Sequence, residues 1–208
     1  MKTIKKISAI GLISSLAVLT AACGPESPSS DSTAARGSGR SVESGASARS
    51  SEDALELVTR SVENAPCEVS ELQKEMLELV NKARAEGRYC GEEYYEAVAP
   101  VTWNCTLVKA AEIHNADMST NNFFAHEGSD GLKAGARLDR VGYNWSTYGE
   151  NLAAGFIEPK EAMEALLASP GHCRNIMGKK YEEFGAASVF YTKAEYSHYW
   201  TQVYGTQF

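Results

Sequence analysis

Four histidines, His114, His126, His172 and His198, are the side chains of this 208-residue chain best suited to acid-base or metal chemistry, because imidazole changes charge near neutral pH. With Glu150, His126 and His172 make a set of two imidazoles and one carboxylate. Such a set, with water in an open position, holds zinc or another divalent ion, and Glu150 would then be a ligand or the general base for a metal-bound water. The simpler reading is a hydrogen-bond network that joins a loop, a strand and a helix without metal. The separations of 24 and 22 residues between these three positions follow no ligand-spacing rule, so spacing does not bring them together, and the network is the favoured reading.

Other chemistries have less support. The chain contains no G-x-S-x-G elbow, no H-E-x-x-H pair and no Walker loop. Cys173 adjoins His172, but a cysteine in an oxidising compartment is better placed in a disulfide than as a nucleophile. His114 falls on the apolar stripe of a helix, with Asp117 three residues on; a core or cleft-floor imidazole bonded to a neighbour is expected there.

The elements that must position these residues are legible from caps and periodicity. Ser70 with Gln73 makes a capping box, and Leu72, Met76, Leu79, Val80 and Ala83 recur at helical spacing, predicting a first helix over about 70–86. Asn104 is a plausible N-cap for a second, over about 105–120, with Leu107, Ala110, Ala111, His114 and Met118 on one stripe. A short third helix fits Lys133 to Val141, a fourth begins at Pro159, and Ser169-Pro170 reads as the N-cap and first position of a fifth, through Met177. GENLAAG reads as a strand, and Phe184 to Thr192 with Tyr196 to Tyr204 as a hairpin. Asp130-Gly131 reads as a turn, Glu92 to Tyr95 as a solvated loop, and Tyr199, Trp200 and Tyr204 as sheet packing. Helices early and strands late imply an α+β fold, an antiparallel sheet under helical cover.

Upstream, Met1-Lys2-Thr3-Ile4-Lys5-Lys6 and the apolar run from Ile7 to about Leu19 form a signal-peptide pattern. The run is too short for a retained membrane span. Leu19-Thr20-Ala21-Ala22-Cys23 resembles the bacterial lipobox, whose cysteine is acylated and becomes the mature N-terminus, although Thr20 departs from the usual residue. Gly24 after the cysteine resembles sorting to an outer membrane where the cell has one. The expected organisation is a signal peptide over 1–22, a lipidated flexible linker over 23–66, rich in Ser, Gly and Ala, and a domain over 67–208.

The formal charge of −7 becomes more negative once Lys2, Lys5 and Lys6 leave with the signal peptide, which disfavours nucleic acid as a partner. A monomer is expected. Beyond Cys23, the cysteines are Cys67, Cys90, Cys105 and Cys173. An even four in an oxidising compartment favours two disulfides with three possible connectivities.

Several spaced segments then carry a family likeness over about residues 70–208. VNKAR (80–84), AAEIHNADM (110–118), FFAH (123–126), YGENLAAG (148–155), SPGHCRNIM (169–177) and YWTQVYG (199–205) stand in an order that resembles the CAP superfamily of cysteine-rich secretory, antigen 5 and pathogenesis-related 1 proteins, in its bacterial SCP-like branch. The resemblance implies a three-layer α-β-α sandwich with a central antiparallel sheet, an extracellular setting, and a cleft with a tetrad of two His and two Glu. His126 matches the first His and Glu150 the Glu of GEN. Ser169 stands at the second Glu, and Tyr199 takes the place of the second His. His198, one position earlier, should face away, since side chains alternate along a strand; His172 of the SPGH segment is the better second imidazole. Only this likeness brings His126, Glu150 and His172 together. Asn81 and Arg84 match structural positions of the family's first helix. Placement of the cysteines in the bacterial motifs implies the pairs Cys90–Cys173 and Cys67–Cys105. Sterol or fatty-acid binding is also implied, though no segment identifies a lipid groove.

The functional expectation is a membrane-tethered module that binds an envelope ligand or protein through a cleft of His126, Glu150, Ser169, His172 and Tyr199, without turnover. The alternative is a metal-dependent hydrolase or peptidase using His126, Glu150 and His172, with zinc or another divalent cation as cofactor.

Overall fold

The computed structural model describes residues 67 to 208 and, before them, Glu56 alone. The signal peptide, Cys23 and nearly all of the linker lie outside the described residues.

The first helix, α1 (Glu71–Arg84), starts on the expected capping box: Ser70 accepts from the Gln73 backbone while the Gln73 side chain accepts from the Ser70 backbone. Strands β1 (Arg88–Cys90) and β2 (Glu93–Tyr95) form a separate antiparallel pair. The region Glu92 to Tyr95 is thus a small hairpin and not a plain loop. Gly91, with φ +71, supplies the left-handed turn residue. The short strand β3 (Thr102–Trp103) leads into α2 (Cys105–Asn121), where the Asn104 side chain accepts from the backbone N–H groups of Thr106 and Leu107. Then follow α3 (Ala134–Arg140), β4 (Trp145–Ala154), α4 (Pro159–Ala168), α5 (Pro170–Ile176), β5 (Glu183–Phe190) and β6 (His198–Gln207). Ser169 occupies the N-cap position of α5, but its side chain makes no cap hydrogen bond.

The main sheet has the order β3-β5-β6-β4. Its long pairs, β5–β6 and β4–β6, are antiparallel, while β3 joins β5 in parallel over two residues. The expected all-antiparallel sheet is therefore mixed at one edge, where the chain enters α2. Alternation along β6 divides the core. Trp200 and Tyr204 pack with Met76 and Val80 of α1 and with Ala162, Met163 and Leu166 of α4. On the opposite face, Val203 packs with Leu107, Ala110 and Ala111 of α2 and Leu138 of α3. The result is an α-β-α sandwich. Gly185 permits the close seat of α2 on β5: a Cβ there would stand 2.5 Å from the backbone nitrogen of Val108.

Disulfides join Cys67 to Cys105 and Cys90 to Cys173, the pairing that the bacterial motifs imply. They close loops of 38 and 83 residues, each contributing on the order of 4 kcal/mol in the chain-entropy account. No described helix is long and apolar enough to cross a membrane.

Arg84 is 1% exposed and sits where loops meet α1. Its guanidinium donates to the carbonyls of Ala99, Ile176, Gly178 and Tyr181. Next to it, Asn81 exchanges two bonds with the backbone of Val101. Both residues are structural, as expected. Arg84→Ala strands several buried carbonyls, so it should cost at least about 3 kcal/mol. A urea titration finding a loss under about 1 kcal/mol would show that water replaces the guanidinium without penalty.

Candidate cleft site

Glu150 lies on the face of β4 turned toward α2 and α3, and its side chain is only 4% exposed. Burying a carboxylate is costly unless its charge is matched. Its Oε1 accepts from His126 Nδ1 at 2.8 Å, and its Oε2 from Arg137 Nη2 at 2.7 Å. Burial pushes the carboxyl up, but the His126 hydrogen bond and the Arg137 charge together hold it below the ordinary carboxylate range. Arg137 also donates to the carbonyls of His126 and Leu132, so one guanidinium anchors the carboxylate and the loop bearing its imidazole partner.

His114 forms the floor of this arrangement. It is fully buried on α2, with Nε2 2.9 Å from the Ala125 carbonyl and 3.9 Å from Glu150 Oε1. The carbonyl can only accept, so Nε2 carries the proton. Burial drives the His114 pKa down to about 4 despite the nearby Glu150, and the ring is neutral at physiological pH. Asp117 does not bond to it; that carboxylate receives the Ser129 backbone N–H and the Asn121 amide.

His172, on α5, comes close enough to His126 to feel its charge. Burial first, then His126, lowers its pKa. The structure thus brings His126 onto Glu150 and His172 within electrostatic reach of His126, whose side chain is 56% exposed. Ser169 and His172 line an adjoining cavity of ≈ 240 Å³ with Phe124, Leu152, Leu166 and Tyr196. Tyr199 packs in the core with Met118 and Leu152, beneath the cleft. His198 faces the other way and stacks on Trp200 at 6.0 Å, as strand alternation requires. Asp130 and Gly131 form the expected turn, with the Leu132 N–H on Asp130 and φ +74 at Gly131.

Arg137 is the site residue that the sequence reading missed. Its signal was a cation on the buried stripe of a short helix, beside Ala134 and Leu138, a position that requires a buried partner.

These donors do not fit a metal ion. Both oxygens of Glu150 are engaged, one by a guanidinium that would repel a cation. Among the described residues, no group of three or more His, Cys, Asp or Glu side chains is arranged to hold a metal. What the geometry does provide is an oriented imidazole: Nδ1 of His126 donates to the carboxylate, which leaves Nε2 as the unengaged nitrogen of a ring whose side chain is 56% exposed.

A three-layer sandwich with a His–Glu pair in a central cleft defines a class, and sequence comparison identifies it. The chain belongs to the cysteine-rich secretory protein family, CAP, whose model matches residues 77–204. It is 28% identical over 144 residues to the protein YkwD of Bacillus subtilis (strain 168), covering 69% of this chain and 51% of that protein. It is 26% identical over 113 residues to the membrane protein YlbC of the same organism, covering 54% and 30%. The chain thus spans about half the length of the first relative and under a third of the second. Among solved structures, it resembles an outer surface protein of Borrelia burgdorferi with a TM-score of 0.58 at 18% identity, covering 68% of this chain and 97% of that one. It also resembles an extracellular SCP-domain protein of Bacillus anthracis str. Ames with a TM-score of 0.55 at 23% identity, covering 65% and 40%. At these identities the structural likeness speaks to the fold.

His114 titrates near 4 folded and near 6.5 unfolded, so the unfolded chain binds more protons between those values. Stability should therefore fall as pH drops from about 6.5 toward 4, by up to about 3 kcal/mol from this residue. Glu150, held low, adds its loss only as pH falls through and below the carboxylate range. His114→Gln keeps a donor toward Ala125 and should flatten the upper part of this slope in urea titrations. Equal slopes in the two proteins would mean that His114 is not buried neutral.

Proposed function

We propose that this chain is an extracytoplasmic, membrane-tethered CAP-domain lipoprotein that serves the cell envelope as a non-catalytic binding module. Residues 1–22 are its signal peptide, 23–66 its lipidated linker from Cys23, and 67–208 its binding domain, acting as a monomer on an envelope ligand or protein. The observation that carries the non-catalytic reading is the double engagement of Glu150 by His126 and Arg137. A carboxylate committed at both oxygens is poorly placed to activate water, and its evident work is to orient His126. Among the described residues no hydroxyl or thiol bonds to His126 or His172, and Cys173 is held in a disulfide.

The extracytoplasmic setting is supported by the signal-peptide and lipobox-like sequence, by two disulfides, and by relatives described as an outer surface protein and an extracellular protein. The acyl chains on Cys23 would provide the membrane contact, each buried CH₂ contributing about 0.8 kcal/mol. A linker of this composition gives the domain a typical reach of roughly 35 Å from the bilayer.

Mass spectrometry of the mature protein should find an acylated Cys23 at its N-terminus, and Cys23→Ser should move the protein from the membrane fraction to the soluble one. An unmodified thiol on an internal Cys23 would refute the anchor. Separately, zinc titration of the full chain should give no binding that His126→Ala and His172→Ala both remove. Zinc uptake lost in both variants, with zinc-dependent peptide hydrolysis in the wild type, would establish the metal hydrolase instead.

A further inference from the structure

We propose that the open end of β4 is a docking edge for an extended peptide, which adds to the sheet at Leu152 and Ala154 and sinks an apolar side chain into the adjoining cavity. The proposal rests on the reading of the chain as a binding module and names the class of partner.

The backbone of β4 shows which groups face which way. Its odd-numbered residues bond to β6, as the 2.9 Å bond from the Gly155 N–H to the His198 carbonyl shows, in register with the pairs Ala153–Trp200 and Asn151–Gln202. In an antiparallel ladder the groups of the intervening residues point to the opposite edge. Two contacts confirm that parity. The Tyr148 carbonyl receives the Tyr181 hydroxyl, and the Glu150 carbonyl receives the Asn175 amide, each at 3.1 Å. Side chains from α5 and the segment after it therefore cap this edge as far as Glu150.

Two and four residues further on, Leu152 and Ala154 turn the same groups toward the same edge. Among the described residues β4 pairs there only with β6 and no hydrogen bond reaches them on the outer side, although Leu152 is itself only 4% exposed. The ≈ 240 Å³ cavity opens at this stretch, lined by Leu152, Ala153 and Ala154. Phe124 and Tyr196, each 41% exposed, stand at its rim, and Leu166 of α4 forms the opposite wall.

An unpaired strand edge beside apolar pockets is the geometry of β-strand addition, in which main-chain bonds give affinity and alternate side chains give specificity. An alkyl chain would fill the cavity yet leave the N–H and C=O groups of Leu152 and Ala154 without partners. Only a backbone offers donors and acceptors alternating at strand spacing. A peptide laid along this edge would send alternate side chains toward Phe124 and Tyr196 on one face and toward Leu166 on the other.

The test uses the full chain in detergent and a fluorescent pool of capped hexapeptides that alternate threonine with valine, leucine or phenylalanine. A fully backbone-N-methylated copy of the pool is the control. Ala154→Pro removes one of the two N–H groups that face the open edge and leaves the bonds to β6 intact, a change tolerated at an edge strand. Ala165→Phe narrows the cavity from α4 and leaves the backbone untouched. The wild type should bind the pool, with affinity weakened at least about tenfold in either variant and with the methylated pool. Amide exchange at Leu152 and Ala154 should slow at least about tenfold on binding.

No binding of the pool by the wild type, equal binding of the methylated pool, or unchanged exchange at both amides would overturn the proposal. Full displacement by oleate, with no change in amide exchange, would assign the cavity to an acyl chain instead. Cleavage of the peptides would defeat the non-catalytic reading while leaving edge docking standing. Failure of the pool beside an acylated Cys23 and absent zinc uptake would remove only the peptide assignment.

Discussion

The buried ion pair between Glu150 and Arg137 is the constraint around which the cleft is organised. A carboxylate with 4% of its side chain exposed stays charged only if the protein replaces the water it has lost. Arg137 supplies a charge at one oxygen and His126 a donor at the other. Because Arg137 also bonds the carbonyls of His126 and Leu132, the same guanidinium that neutralises the strand shapes the loop that presents the imidazole. Removing one partner would leave a buried charge unmatched, the costly case for such pairs. The His114 ring, kept neutral by burial, closes the floor without adding a charge.

This arrangement requires β4 to be an edge strand. A central strand would have its second side occupied by another backbone. Here that side is used by side chains: Asn175 on the Glu150 carbonyl and Tyr181 on the Tyr148 carbonyl. Asn151 adds a tie to the His172 carbonyl, so α5 is fastened to the strand at several points. The Cys90–Cys173 disulfide then binds α5 to β1 from the opposite direction. His172 is held in place because its helix, too short to be stable alone, is tied to β4 by hydrogen bonds and to β1 by a disulfide.

The parts of the fold legible in the sequence were those whose signals are local. Ser70 with Gln73, Asn104 and Pro159 mark helix starts through bonds or fixed torsions within a few residues, and those starts agree with the structure. Alternation along β6 likewise separated His198 from Tyr199. The β1–β2 hairpin was not legible because its strands are three residues each and mostly exposed, with no buried face to impose a pattern. The parallel contact of β3 was hidden for a related reason: two residues are too few to show a period.

The site divides along the same line. His126 and Glu150 were found through family motifs, because nothing in a separation of 24 residues requires an imidazole to meet a carboxylate. Arg137 was missed, although a cation on the buried stripe of α3 was itself a local irregularity and demanded a partner somewhere in the fold. A conflict between side-chain type and stripe position therefore deserved the same weight as a motif. The direction of the free backbone groups at Leu152 and Ala154 belongs to a different category. It depends on which neighbour β4 has and which it lacks, and strand order is a property of the whole sheet that no segment of the chain carries by itself.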